Sequence, residues 1–297
     1  MNKTSVTEPK LALLTIIINE LLNQLTSVLV LRLTLLLLLF YGSSSILLDI
    51  PLRIVCSLML LLPILQTNQI MWVIICALVW WINAIDWFAL DNHKILIGYW
   101  CLVCALAVSS KVTDKVLAWN GRMLIGLTFL FATAWKIMAG EYGDGSFLLY
   151  TFLSDRRVEL MATFIGSISP DILQQNRLLE ALLRYQPHIL GSTTVSSSPQ
   201  LELFTLAASY WTLIIESAVA VSFLGGGMSR LFLLRDWILI LFIATTYFLL
   251  PVLGFAYILM IMGFAQCPPQ NNTIKIAYIC LFGLLQFARF PWNILFI

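Results

Sequence analysis

Two ionisable residues fall where the sequence offers them almost no water. Glu216 lies near the middle of LFTLAASYWTLIIESAVAVSFL, with apolar and small residues on both sides. A carboxylate in such a run cannot face lipid, so it must meet a partner or a cavity. Lys136 ends the apolar run LIGLTFLFATAWK and is followed by the glycine-bearing, acidic turn IMAGEYGDGS. A partly desolvated lysine can act as a base near neutral pH, which is one use of an amine at such a place. The bland alternative is an amine that snorkels from a helix end or pairs with Glu141 or Asp144. Helical spacing sets Tyr210, Leu213 and Ser217 near the face of Glu216, with Trp211 and Trp135 as aromatic walls. Lys136 is itself a conceivable partner for Glu216, either as a catalytic pair or as a buried structural one.

The remaining candidates have simpler readings. Arg32 and Arg289 lie a turn or two from the ends of apolar runs, where a long side chain reaches the headgroups. Asp86, between Trp81 and Trp87, is expected at an interface. Cys101 and Cys104 have the CxxC spacing of a thiol pair, but they are embedded in ILIGYWCLVCALAV without a nearby cation and read as small apolar residues. The six cysteines form no disulfide framework, and no metal site is expected.

The elements that must hold these residues are apolar. The apolar share is 60%, charged residues make up 11%, and mean hydropathy is +0.93. Such a chain asks for lipid as its solvent, where every backbone polar group must be satisfied internally. The expectation is an all-α, polytopic integral membrane bundle. At roughly 20 residues per crossing it has about eight or nine transmembrane or re-entrant helices. Apolar spans run at 28–48, 52–66, 69–90, 95–109, 116–139, 202–224, 232–250, 252–266 and 275–291, with Pro251 and Gly254 breaking the longest run in two. Residues 1–25, with Glu8, Thr15, Asn19 and Asn23 recurring on one stripe, read as an uncleaved interfacial helix. The formal charge of +2 is spread over loops, so the expected partners are the bilayer, lipid-soluble molecules or another membrane protein, and not nucleic acid.

Basic residues such as Lys111, Lys115, Arg122, Arg235 and Lys275 fall on one side if the N-terminus is cytoplasmic, as in a bacterial inner membrane. The segment 140–201 then faces outward. Within it, Ser169-Pro170-Asp171 is a helix start, and Leu178, Leu179, Leu182 and Leu183 define an amphipathic helix over the bundle. Ser198-Pro199 starts the next crossing. No internal repeat supports a transporter.

Three stretches, FLFATAWKIMAGEYGDGS, SYWTLIIESAVAVSFL and LLPVLGFAYILMIMGF, together resemble the membrane core of the vitamin K-dependent γ-glutamyl carboxylases and of the bacterial HTTM (horizontally transferred transmembrane helix) proteins. The similarity covers roughly residues 116–266 of one membrane domain, 1–297. On this resemblance Lys136, Asp144 and Gly145 match the first motif, Glu216 the second, and Gly254 and Phe255 the third. It implies a base at Lys136 that deprotonates a quinol such as vitamin K hydroquinone, and hence a carboxylase-like lyase acting on a quinol-like or peptide substrate. The family's histidine before the third motif has no counterpart here, where Thr245, Thr246 and Tyr247 stand. A non-enzymatic membrane subunit or assembly factor, with Lys136 and Glu216 as a structural pair, is the competing reading.

Overall fold

The computed structural model describes residues 25–44, 46–185, 188, 194–225, 230–250, 252–268 and 270–289. The expected interfacial helix over 1–25 and the tail beyond Arg289 lie outside the described residues, as does the Arg289 side chain. Among the described residues the chain is all-helical, without strands, and divides into two compact units, 1–125 with 253–297 and 126–252.

The first unit contains α1 (Thr26–Leu39), α2 (Ile46–Leu61), the single turn α3 (Pro63–Gln66), α4 (Gln69–Ile85), α5 (Asn92–Val108), the start of α6 (Thr113–Ala139), α12 (Leu253–Gln266) and α13 (Asn272–Arg289). The expected span 28–48 is two pieces, because the turn from Phe40 through Ser44 separates α1 from α2. The span 52–66 is likewise cut, because Pro63 cannot continue α2 and instead occupies the first turn of α3. Asn68 starts α4 by accepting the Ile70 amide at 2.9 Å.

Several polar side chains inside this unit find partners across the helices. Arg32 is tied within the unit: its Nε donates to Gln66 Oε1 at 3.2 Å, and Gln66 in turn donates to the Met59 carbonyl. A guanidinium that finds a buried acceptor has less reason to reach for headgroups. Trp100 donates to Thr34 Oγ1 at 3.0 Å. Cys101 and Cys104 are fully buried free thiols, so the apolar surroundings that make them inert are as expected.

Asp86 stands at a helix end, enclosed by the chain. It caps α4, is buried, and accepts from both the amide and the hydroxyl of Ser44, the amide at 2.9 Å. Both hydrogen bonds are made to the ionised carboxylate, so protonation in acid weakens them. Asp86→Ala is therefore expected to cost about 1–3 kcal/mol at neutral pH. Thermal melts of both proteins should converge in acid, and a constant gap at all pH values would refute the assignment.

The second unit is built from the rest of α6, then α7 (Ser146–Ser154), α8 (Glu159–Gly166), α9 (Pro170–Tyr185), α10 (Pro199–Leu224) and α11 (Arg230–Leu249). Among the described residues the segment 140–201 thus holds three α-helices and a 3₁₀ turn at Arg156–Val158 where the sequence suggested one helix. They share an apolar cluster of Phe152, Leu153, Val158, Ala162, Ile168, Leu173 and Leu201. On α9 the buried positions are Leu173 and Asn176, while Leu178 and Leu182 of the expected leucine face are 58% and 43% exposed. Asn176 turns inward because its amide exchanges two 2.9 Å hydrogen bonds with the backbone of Ser196. Ser198 does cap α10, accepting the Leu201 amide, with Pro199 in the first turn. Helices α11 and α12 end and begin at Leu249 and Leu253, on either side of the expected break at Pro251.

Among the described residues two helices, α6 with 27 residues and α10 with 26, are long and apolar enough to cross a membrane, and α1, α4, α5, α12 and the first part of α13 are shorter apolar helices. Only 22% and 33% of the most apolar stretches of α6 and α10 are buried within the chain. The core helix of a soluble protein would hide most of that surface, so these two suggest association with a membrane.

Candidate functional site

Close packing within the second unit brings α6 and α10 together. A Cβ on Gly126 of α6 would lie 2.6 Å from Leu224 Cγ of α10, so the absence of a side chain there permits the approach. Phe129 of α6 meets Phe242 of α11 edge to face at 4.6 Å.

Towards the far end of α6, Lys136 Nζ donates to Glu216 Oε1. The pair joins residues 80 apart in sequence, with side-chain exposures of only 17% for the lysine and 7% for the glutamate. The second carboxylate oxygen, Oε2, is buried and has no hydrogen-bond partner among the described residues. That is costly for a charged acceptor, and it leaves one side of the carboxylate able to take a proton or receive a donor. One turn before the lysine, the buried Thr133 Oγ1 also lacks a partner, as does Ser209 Oγ on α10.

The turn after α6 closes over the amine. Gly140 ends the helix at φ +78°, its amide returning to the Lys136 carbonyl at 3.3 Å in the usual left-handed cap. The chain then carries Tyr142 back so that Lys136 Nζ stands 5.1 Å from its ring centroid, a cation–π contact. Tyr142 stacks on Phe147 of α7 at 4.9 Å. Burial, and then the charges of Glu216 and Glu141, push its phenol up, so it stays protonated and neutral beside the pair. Gly145 starts α7, also at φ +78°, and Asp144 accepts the Ser146 amide at 2.9 Å.

The expected site residues thus divide. Lys136 and Glu216 meet. Gly145 lies against the backbone of Leu206 on α10, and Asp144 is an exposed turn acceptor facing Ser146 instead of the amine. Tyr210 donates its hydroxyl to the Gly143 carbonyl at 3.1 Å, tying α10 to the turn instead of lining the carboxylate. Trp211 donates to Thr245 Oγ1 on α11 at 3.3 Å. Tyr247 is buried, edge to face on Phe242 at 5.5 Å and within electrostatic range of Glu216. Trp135 is 71% exposed, because the residue next to Lys136 is turned about 100° round the helix and faces outward. The aromatic wall is Tyr142, which sequence reasoning missed. Its signal was an aromatic residue in a glycine-flanked turn immediately after the lysine.

In the first unit His93 of α5 packs onto Gly254 of α12. A Cβ on Gly254 would lie 2.7 Å from its ring. Among the described residues no group of three His, Cys, Asp or Glu side chains could hold a metal ion. Comparison with family models, curated sequences and solved structures matches nothing.

Proposed function

We propose that this chain is a polytopic integral membrane protein of the HTTM type, with the Lys136–Glu216 pair as an acid–base centre for a lipid-soluble, quinol-like substrate. Apolar helices that keep most of their surface outward support the bilayer setting, together with outward aromatic side chains such as Trp119, Phe131 and Trp135. The shorter apolar helices fit a bundle of about eight or nine crossings or re-entrant segments. We place it in a bacterial inner membrane with the N-terminus in the cytoplasm, an orientation that the spread of basic residues supports.

The observation that carries the chemical reading is a buried ion pair with one carboxylate oxygen left open. An isolated structural bridge is most stable when all of its acceptors are used. Here Lys136 is directed at Oε1 and Tyr142, while Oε2 has no donor among the described residues. The pair acts as one base. A quinol hydroxyl gives its proton to Oε2, or to Nζ after the lysine has passed a proton to Oε1, and either route adds one proton to the pair. The electron pair of the broken O–H bond stays on the quinol oxygen, where the cation stabilises it in a site from which water is excluded. A peptide substrate would be accepted from the same face.

A membrane subunit or assembly factor is the second reading, favoured by the saturation of the amine between Oε1 and the Tyr142 ring. Purified protein in lipid, assayed for quinol binding and quinol-dependent turnover, separates the two. Lys136→Ala, Lys136→Arg and Glu216→Gln should each lose turnover by roughly a hundredfold or more at matched folded yield, the scale of general acid–base catalysis. No quinol binding by the wild type, with the variants losing only folding or a co-purifying protein, sinks the enzyme and favours the subunit.

A further inference from the structure

The segment between α6 and α10 carries a groove that the acid–base reading does not use. About 570 Å³ in volume, it is lined by Arg156, Arg157, Glu159, Leu160, Thr163, Phe164 and Pro170. Leu160 and Phe164 are four apart on α8 and therefore share one face, at 78% and 82% exposure. What sets these two apart from the other exposed apolar side chains is that they share one groove with basic residues.

The charges around them are unequally matched. Arg157 forks onto Asp155, with its Nη2 2.6 Å from the carboxylate, and Glu159 is bound by Arg177 at 2.9 Å. Both acids near the groove are therefore occupied by other guanidinium groups. Arg156 is exposed, one turn before Leu160, and no carboxylate pairs with it among the described residues. A bare guanidinium next to two bare apolar side chains matches one chemistry: an anionic headgroup with acyl chains directly beneath it.

Chain connectivity agrees. Residues 140–198 join the end of α6 to the start of α10, the two helices long enough to cross a membrane, so the segment emerges at one membrane face. We infer that this groove is a binding site for an anionic phospholipid, with Arg156 on the phosphate and Leu160 and Phe164 among the acyl chains. The inference rests on α6 and α10 crossing the bilayer, and not on the Lys136–Glu216 chemistry.

The test uses the full chain purified in detergent and titrated with phosphatidylglycerol or phosphatidylcholine of identical acyl chains, with bound lipid counted by native mass spectrometry. Wild type should prefer phosphatidylglycerol. Arg156→Gln should weaken it about fivefold without changing phosphatidylcholine, as expected for one basic residue at an anionic surface. Leu160→Ser with Phe164→Ser should weaken both lipids. These side chains are exposed, so melting temperatures should stay close to wild type, which keeps loss of folding apart from loss of binding. Equal affinity for the two lipids, an Arg156→Gln protein that binds like wild type, or full displacement by water-soluble glycerophosphate would overturn the proposal. Alkaline carbonate extraction separates the two failures. Release of the wild-type chain defeats the membrane reading itself, whereas retention without lipid preference defeats only this site.

Discussion

Lys136→Met is expected to destabilise the protein by about 3–5 kcal/mol, and Lys136→Met combined with Glu216→Leu to recover most of that loss. The single change leaves a carboxylate that is 7% exposed with neither oxygen satisfied, since Oε2 has no partner among the described residues. Glu216→Leu should cost less, because the abandoned amine is 17% exposed and keeps the Tyr142 ring, so it can turn towards solvent. Removing both charges takes away the attraction and the desolvation penalty together. Equilibrium unfolding of the four proteins in one mild detergent gives the coupling energy directly. Additive single effects of less than about 1 kcal/mol would show that the two side chains do not form a desolvated pair. The same four proteins bear on function, because a double variant that is stable yet inactive separates catalysis from folding.

What the sequence could disclose follows from the range of each interaction. Helices and their ends depend on neighbours a few residues away. Ser198-Pro199 and Ser169-Pro170 could therefore be placed as helix starts, and the break near Pro251 could be seen. Proline also explains why 52–66 is cut, a local signal that a count of apolar residues overlooked. The pairing of Lys136 with Glu216 was legible for a different reason. Two isolated charges in apolar runs have few alternatives to one another. Charges with several polar partners to choose from were not legible. Arg32 finds Gln66 and Asp86 finds Ser44, 34 and 42 residues away, and no periodicity encodes such choices. Facing was the other loss. Trp135 and Tyr142 are both aromatic residues near the lysine, but only the turn geometry set by Gly140 decides that Tyr142 covers the amine. The leucines of α9 misled in the same way. Asn176 takes the inward position because the Ser196 backbone offers it two partners, a contact 20 residues distant.

That turn can be tested against its own control. Gly140 and Gly145 both have φ +78°, so alanine at either meets the left-handed strain of an L-residue, about 1–2 kcal/mol. Their surroundings differ. A Cβ at Gly140 meets nothing within 4 Å, whereas one at Gly145 would lie 2.9 Å from the Leu206 Cα and 3.1 Å from its nitrogen. Backbone of a packed helix cannot swing aside as a side-chain tip can, so Gly145→Ala must push α7 away from α10 or distort the turn. The expected losses are about 1–2 kcal/mol for Gly140→Ala and about 3–5 kcal/mol for Gly145→Ala, the difference being overpacking. Unfolding of both variants beside wild type measures it, with the shared strain cancelling between them. Displacement at Gly145 also pulls on Phe147, two residues on, and through its stack on Tyr142, so the ring should leave Lys136 and any quinol-dependent activity should fall with stability. Equal losses for the two alanines would mean that the turn does not rest on α10, and the cover over the amine would then have no fixed support.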